Sequence, residues 1–243
     1  MAVGKDNIFA DYKAEVSRFE FDQKVVAVFD DMNRRSVPGY STVIAMTSVL
    51  AEKYAQPGSV CYDLGCSLGA STIALRHGIQ AEGCKVVAVD NSAAMIDRCR
   101  EILDSDVSSV PVELYTADIA DFPIENASVV VMNYVLQFFD PARRDELVRR
   151  IYDGMRPGGI FILSEKMLFA DEAEQNFQHD LYHEFKAFNG YSRTEISQKR
   201  KALENVLIPN TLDEHKQRIK AAGFTSCYKW FHCFNFGSMV AMK

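Results

Sequence analysis

The residues of this chain best suited to chemistry sit where apolar runs end. In "VCYDLGCSLGAST", Val60 to Thr72, an apolar run leads through Asp63 into a turn bounded by Gly65 and Gly69, then into a helix-like segment. Glycine at a strand-to-helix turn lets backbone N–H groups approach a ligand closely. A dinucleotide turn reads G-x-G-x-x-G, whereas here Ser67 stands at the middle position, where a side chain hinders a pyrophosphate. No G-K-[ST] follows, so the turn is not a P-loop. It suits a smaller, less anionic ligand, with Asp63 placed to meet an ammonium group. Asp90, followed by Asn91, closes a β-branched run 25 residues after Gly65. A carboxylate there can accept both hydroxyls of a ribose. Asp118 ends "YTAD", placed for an adenine amino group. Taken singly, each reads better as a helix cap or a solvated group. At successive strand ends they point together to a nucleoside.

These residues need a scaffold, and the pattern supplies one. From Val60 onward strand and helix signals alternate. "SVCYDLG", "CKVVAVDNS", "PVELYTADI", "ASVVVMNYVLQF" and "IFILSEK" are strand candidates. "STIALRHGI", "AAMIDRCREILDS" (capped by Asn91 or Ser92) and "DPARRDELVRRIYDGM" (Asp140 as cap, Pro141 first) are helix candidates. This order predicts a mostly parallel sheet of seven strands with helices on both faces, an α/β, Rossmann-like fold. Two N-terminal helices are expected, Phe21 to Met32 and residues 41–55, separated by Pro38 and Gly39. Residues 167–210 interrupt the alternation with two polar helices, an insertion placed to act as a lid. Thr211 and Glu214 form a capping box for a last helix that Gly223 ends, and "SCYKWFHCF" and "FGSMVAMK" close the sheet. The expected organisation is an N-terminal helical cap, 1–57, and a nucleoside-binding domain, 58–243, carrying the insertion.

With 243 residues, 48% hydrophobic and 25% charged, the chain can bury a large core. A net charge of −6 argues against a dedicated nucleic-acid surface. Six cysteines, Cys61, Cys66, Cys84, Cys99, Cys227 and Cys233, include no C-x-x-C pair and read as reduced thiols of a cytoplasmic protein. No signal peptide or membrane span is expected.

Other candidates read as structural. His179 and His183 share a helix face, but "HDLYH" is not H-E-x-x-H and no third ligand follows, so no metal site is expected. Lys199-Arg200-Lys201 reads as a solvated face, and Cys66, with no neighbouring base, as steric fit in the turn. Arg34 and Arg35 suit substrate carboxylates or the surface equally. Trp230, Phe231, Phe234 and Phe236 read as core or subunit interface.

The turn Asp63-Leu64-Gly65-Cys66-Ser67-Leu68-Gly69, the acids at 90 and 118, "MRPGG" and the two closing strands together resemble the class I S-adenosylmethionine-dependent methyltransferases. More specific stretches, "RRSVPGYS", "YDLGCSLGA", "DNSAAMIDRCR", "IENAS", "LSEK", "NGYS", "EISQKR", "LENV" and "WFHCFNFGS", are similar to the carboxy-S-adenosyl-L-methionine synthase family from Phe21 onward. That resemblance implies an enzyme taking S-adenosyl-L-methionine and prephenate to carboxy-S-adenosyl-L-methionine and phenylpyruvate, through an ylide at the sulfonium methyl. The product would serve a tRNA carboxymethyltransferase that modifies wobble uridine. The resemblance also implies a homodimer. It implies cofactor contacts at Tyr40, Gly65, Cys66, Ser67, Asp90, Asn91, Asp118, Ile119, Asn133 and Arg200, with Tyr40 and Arg200 in catalytic roles. The planar fork of Arg200 suits the new carboxylate, from its own subunit or from a partner's. No general base stands out. Two other readings fit the residues: an ordinary small-molecule methyltransferase, and a binding protein on the same fold. The acidic balance disfavours direct tRNA methylation.

Overall fold

The structure, a computed structural model, describes residues 4–243. Residues 5–22 hold no helix or strand. They lie across the molecule, pinned by Gln198, whose Nε2 donates to the carbonyls of Phe9 and Asp11. Helix α1, Gln23–Ser36, starts where the Asp22 carboxylate accepts the N–H groups of Lys24 and Val25. Gly39, in the left-handed conformation, turns the chain into α2, Tyr40–Tyr54.

The alternating core follows: β1 Val60–Leu64, α3 Ala70–Gly78, β2 Lys85–Asp90, α4 Ala93–Asp104, β3 Val112–Thr116, β4 Ala127–Asn133, α5 Arg144–Gly154 and β5 Met155–Leu168. Then come the inserted helices α6, Glu172–Phe188, and α7, Arg193–Leu203, a two-residue strand β6, Asn210–Thr211, helix α8, Leu212–Ala221, and the hairpin β7 Ser226–Cys233 and β8 Phe236–Met242. The sheet order is β3-β2-β1-β4-β5-β8-β7, with β6 added alongside β5. The first five are parallel, and β8 runs antiparallel to both β5 and β7. Seven long strands are thus present as expected, with β6 as a short addition.

Both faces of the sheet are buried, which explains why the central strands read as unbroken apolar runs. Tyr62, Leu64, Val130, Met132 and Phe161 pack against α5 and α8 through Leu147, Ile151 and Ile219. Cys61, Val86, Val129, Val131 and Ile160 face Ala51 of α2 and Leu75 of α3. Helix α2 therefore packs on the sheet itself.

Several sequence signals act as expected. Ser92 accepts from the Met95 N–H to cap α4, Asp140 accepts from the Ala142 N–H, and the Thr211–Glu214 box is closed in both directions. Strand four is a correction. The stretch expected as one strand through Phe138 stops at Asn133, because Tyr134 adopts φ +63° and Leu136–Phe138 form a 3-10 turn. The cause lies 30 residues beyond Val135 in the chain. The fully buried Glu165 carboxylate accepts the N–H groups of Val135, Leu136 and Gln137 at 3.1, 2.9 and 2.9 Å.

Candidate active site

The carboxyl ends of β1 to β4 open into a cavity of about 1200 Å³. Tyr40, Gly65, Cys66, Ser67, Asp90, Asn91, Asp118, Ile119 and Asn133 all line it. Arg200 does not; it is exposed on α7.

The turn is built for close approach. Gly65 has φ +83°, and a Cβ placed there would fall 2.4 Å from Cγ2 of Val135. Ser67 takes the left-handed conformation a glycine would take, φ +47°, a strained state for a residue with a side chain. Its N–H is held by Asp90 Oδ2 at 2.9 Å, while Oδ1 of Asp90 accepts from the Ser92 N–H at 2.9 Å. Asp90 thus fixes the turn from the neighbouring strand and still lines the cavity. Burial raises its pKa, opposed by those two N–H groups. Asp118 accepts from the Ala120 N–H through Oδ1.

Asp63 differs from expectation. Its carboxylate is absent from the cavity wall; it is buried and accepts from Thr72 Oγ1 at 2.6 Å. The side chain ties β1 to α3 rather than meeting a ligand. Burial pushes its pKa up to about 7.

Asn133 donates to Ser71 Oγ at 2.9 Å, which leaves its buried Oδ1 with no partner among the described residues. An orphaned buried acceptor on a cavity wall is costly unless a ligand donates to it. The ammonium of an amino-acid ligand is such a donor. Tyr134, whose buried hydroxyl likewise has no partner among the described residues, stands between Tyr40 and Phe236, at centroid distances of 6.3 and 5.9 Å. Phe236, expected as core or interface, also lines the cavity. Residues 18–21 of the N-terminal segment reach the cavity as well, with Phe21 packed edge-on against Phe138 at 5.4 Å.

Sequence reasoning missed several of the groups here. Glu165 sets the 3-10 turn that carries Val135 and Phe138, and Lys166 and Tyr182 line the cavity. Lys199, expected on a solvated face, is buried and lines the cavity; its Nζ donates to Ser36 Oγ at 3.1 Å and lies 3.6 Å from the Asp6 carboxylate. Only the periodicity of α7 hinted at this, since position 199 follows buried Ile196 by one turn. Arg34 pairs with Asp30 at the surface. Arg35 is spent on structure, paired with Asp31 at 3.1 Å and stacked on Tyr191. The His179 and His183 rings lie 4.1 Å apart, and among the described residues no group of three His, Cys, Asp or Glu side chains is placed to hold a metal. Cys66 is buried against Cys99, whose thiol, together with burial, pushes the Cys66 pKa well up, so it is no ready nucleophile. Among the described residues no helix is long and apolar enough to cross a membrane.

Comparison with known proteins agrees with this geometry. A family model described as "Methyltransferase domain" matches residues 61–159. The solved structure of an O-methyltransferase family protein from Burkholderia thailandensis superposes with a TM-score of 0.65 at 15% identity, over 89% of this chain and 60% of that one. At that identity the likeness is one of fold: class I, Rossmann-like. Two relatives are far nearer. The carboxy-S-adenosyl-L-methionine synthase of a Geobacter species is 57% identical over 98% of both chains. That of Photobacterium profundum is 54% identical over 99% of this chain and 98% of its own. With such identity running end to end through the lid as well as the sheet, the chain belongs to the carboxy-S-adenosyl-L-methionine synthase family.

Proposed function

We propose that this protein converts S-adenosyl-L-methionine and prephenate into carboxy-S-adenosyl-L-methionine and phenylpyruvate. The observation that carries this reading is the near-full-length likeness to synthases of that name, 57% over 98% of the chain. Prephenate aromatises by losing its ring carboxylate as carbon dioxide and its ring hydroxyl as hydroxide. The hydroxide takes one proton from the sulfonium methyl and becomes water, and the methyl carbon captures the carbon dioxide. Atoms and charge balance with no added oxidant or base, so the reaction asks no proton abstraction of a side chain.

The chain's own part is binding, orientation and exclusion of water. In this reading Asp90 accepts from the ribose hydroxyls, and Asp118 and Ile119 hold the adenine. The backbone at Gly65, Cys66 and Ser67, with Asn133 Oδ1, holds the amino-acid end. Tyr40, at the start of α2, closes over the sulfonium. The exposure of Arg200 supports a role in the cavity of a second subunit, where its guanidinium would pair with the new carboxylate and stabilise charge as it forms. We therefore read the working protein as a cytoplasmic homodimer whose product supplies a tRNA carboxymethyltransferase, with no direct contact between this chain and RNA.

The test is the mass of the nucleoside that acid releases from protein purified without added ligand, and again after incubation with S-adenosyl-L-methionine and prephenate. The reading expects a species heavier than S-adenosyl-L-methionine by one carbon dioxide. S-adenosylhomocysteine formed in proportion to an added acceptor would replace it with ordinary methyl transfer.

A further inference from the structure

One end of the cavity carries more buried positive charge than the protein itself balances. Lys166, on β5, lies with its Nζ 5.0 Å from the centre of the Tyr182 ring, and Lys186 lies 5.3 Å from the same ring. Lys186 also lies 5.9 Å from the Tyr191 ring, which Lys199 and Arg35 approach at 5.6 and 3.8 Å. Four cations are thus strung along two tyrosines. They meet two carboxylates: Asp31 pairs with Arg35, and Asp6 pairs with Lys199 and accepts from the Tyr191 hydroxyl. Lys166 and Lys186 form no ion pair or side-chain hydrogen bond among the described residues. Burial lowers Lys166 to about 8, and burial together with Lys199 and Lys166 lowers Lys186 to about 7.

Unpaired buried cations are costly to a fold and persist where a ligand supplies the counter-charge. On formal charges four cations meet two carboxylates, with Lys186 and Lys199 buried and Lys166 partly buried on the cavity wall. Lys166 and Lys199 line the cavity wall beside Tyr134, Tyr182 and Phe236. The acids expected to hold the nucleoside, Asp90 and Asp118, come instead from the ends of β2 and β3.

We propose that Lys166 and Lys199, backed by Lys186, form the subsite for the dicarboxylate co-substrate and pair with the carboxylate of its 2-oxo acid arm. The proposal rests on the reading that prephenate is that co-substrate. Of its two carboxylates, one must leave as neutral carbon dioxide. A lysine clamped on that group would stabilise the ground state more than the transition state and slow the reaction. The 2-oxo acid carboxylate keeps its charge throughout, so cations held there bind substrate without opposing the chemistry. The aromatic wall then takes the ring, whose departing carboxylate is left in apolar surroundings.

The experiment compares the parent with Lys166→Met and Lys186→Met. Both remove an unpaired charge, so neither should lower the melting temperature. Lys199→Met is avoided because Lys199 also pairs with Asp6. Three quantities are read: KM for prephenate, the dissociation constant for S-adenosyl-L-methionine by calorimetry, and inhibition by phenylpyruvate, which keeps the 2-oxo acid arm. The proposal expects KM for prephenate to rise about tenfold or more in Lys166→Met, inhibition by phenylpyruvate to weaken in parallel, and S-adenosyl-L-methionine affinity to stay within about twofold. A parental KM in Lys166→Met overturns it, whatever Lys186→Met shows. So does a loss of S-adenosyl-L-methionine affinity as large as the rise in KM, since the lysines would then serve the nucleoside. Failure of the functional reading looks different: the parent itself makes no carboxylated product from prephenate, and both ideas fall together.

Discussion

Val135 stands against the bare α-carbon of Gly65, so close that any side chain on residue 65 would collide with it, Cβ to Cγ2 at 2.4 Å. The first turn of the binding site and the loop after β4 therefore share one space. Gly65 needs a left-handed backbone, and Val135 needs Gly65 to have no side chain. Val135 is held there by Glu165, which accepts its N–H at 3.1 Å.

Gly65→Ala should lose at least about tenfold in affinity for S-adenosyl-L-methionine and about 1–2 kcal/mol in stability from backbone strain alone, with the collision adding to both. Adding Val135→Ala removes the two closest contacts, leaving the residue 135 Cβ at 3.2 Å, and keeps the φ strain, so the double variant should recover part of each loss. Calorimetry and urea unfolding measure the two effects. Full recovery would place the whole cost in the collision.

Glu165→Gln replaces an acceptor-only group with an amide that must turn an NH2 toward backbone N–H groups. The expected loss is about 2 kcal/mol, read by urea unfolding. Weaker binding of S-adenosyl-L-methionine should accompany it, because Val135 and Phe138 ride on that turn. A variant as stable as the parent would mean that Glu165 does not hold it.

Asn133→Ala should weaken S-adenosyl-L-methionine binding by about tenfold, while stability falls only by the lost hydrogen bond to Ser71 Oγ, about 1 kcal/mol. The Asn133 carbonyl has no partner within the described chain to lose. Equal affinity in the variant would remove Asn133 from the site.

Asp63 gives a pH dependence with a definite sign. Burial raises its folded pKa to about 7, above the unfolded value. Its folded form therefore binds a proton more tightly, and the associated stability is present at acid pH and lost as pH rises from about 4 through 7. Asp63→Asn keeps the shape and removes the titration. The melting temperature of the variant minus that of the parent should therefore rise between pH 5 and pH 8. A difference that stays flat would show that Asp63 does not titrate in that window.

How much of this the sequence disclosed depends on the range of the interaction. The glycine turn, the acids at 90 and 118, the Ser92 and Asp140 caps and the Thr211–Glu214 box are local patterns, each complete within a few residues; the structure closes the caps and the box and sets the turn and both acids on the cavity wall. The end of β4 was not legible because the carboxylate that ends it belongs to Glu165, 29 residues beyond Leu136. "LSEK" reads as plain strand, yet Glu165 is fully buried on backbone N–H groups while its neighbour Lys166 lines the cavity. Lys199 looks like surface beside Arg200 and Lys201. It is buried only because residues near the N-terminus fold over α7 and bring Asp6 to it. Asp63 misled in the opposite sense, since position at a strand end does not say on which side of the sheet a side chain falls.

Arg200 offers a test of assembly. If it completes a neighbour's cavity, Arg200→Ala and Asp90→Ala should each be nearly inactive alone. Mixed and allowed to exchange subunits, they should regain about a quarter of parental activity, because half the dimers are mixed and each of those has one intact site. No recovery on mixing would return Arg200 to its own subunit's site or remove it from catalysis.

The central claim is that the methyl carbon of S-adenosyl-L-methionine captures carbon dioxide released from prephenate within one cavity. The direct measurement uses prephenate isotopically labelled in its ring carboxylate, with unlabelled bicarbonate in excess, and mass spectrometry of the nucleoside product. The account predicts a product heavier than S-adenosyl-L-methionine by one carbon dioxide and carrying the label nearly quantitatively. An unlabelled carboxylated product would show capture from solution, and S-adenosylhomocysteine alone would show methyl transfer; either result contradicts it.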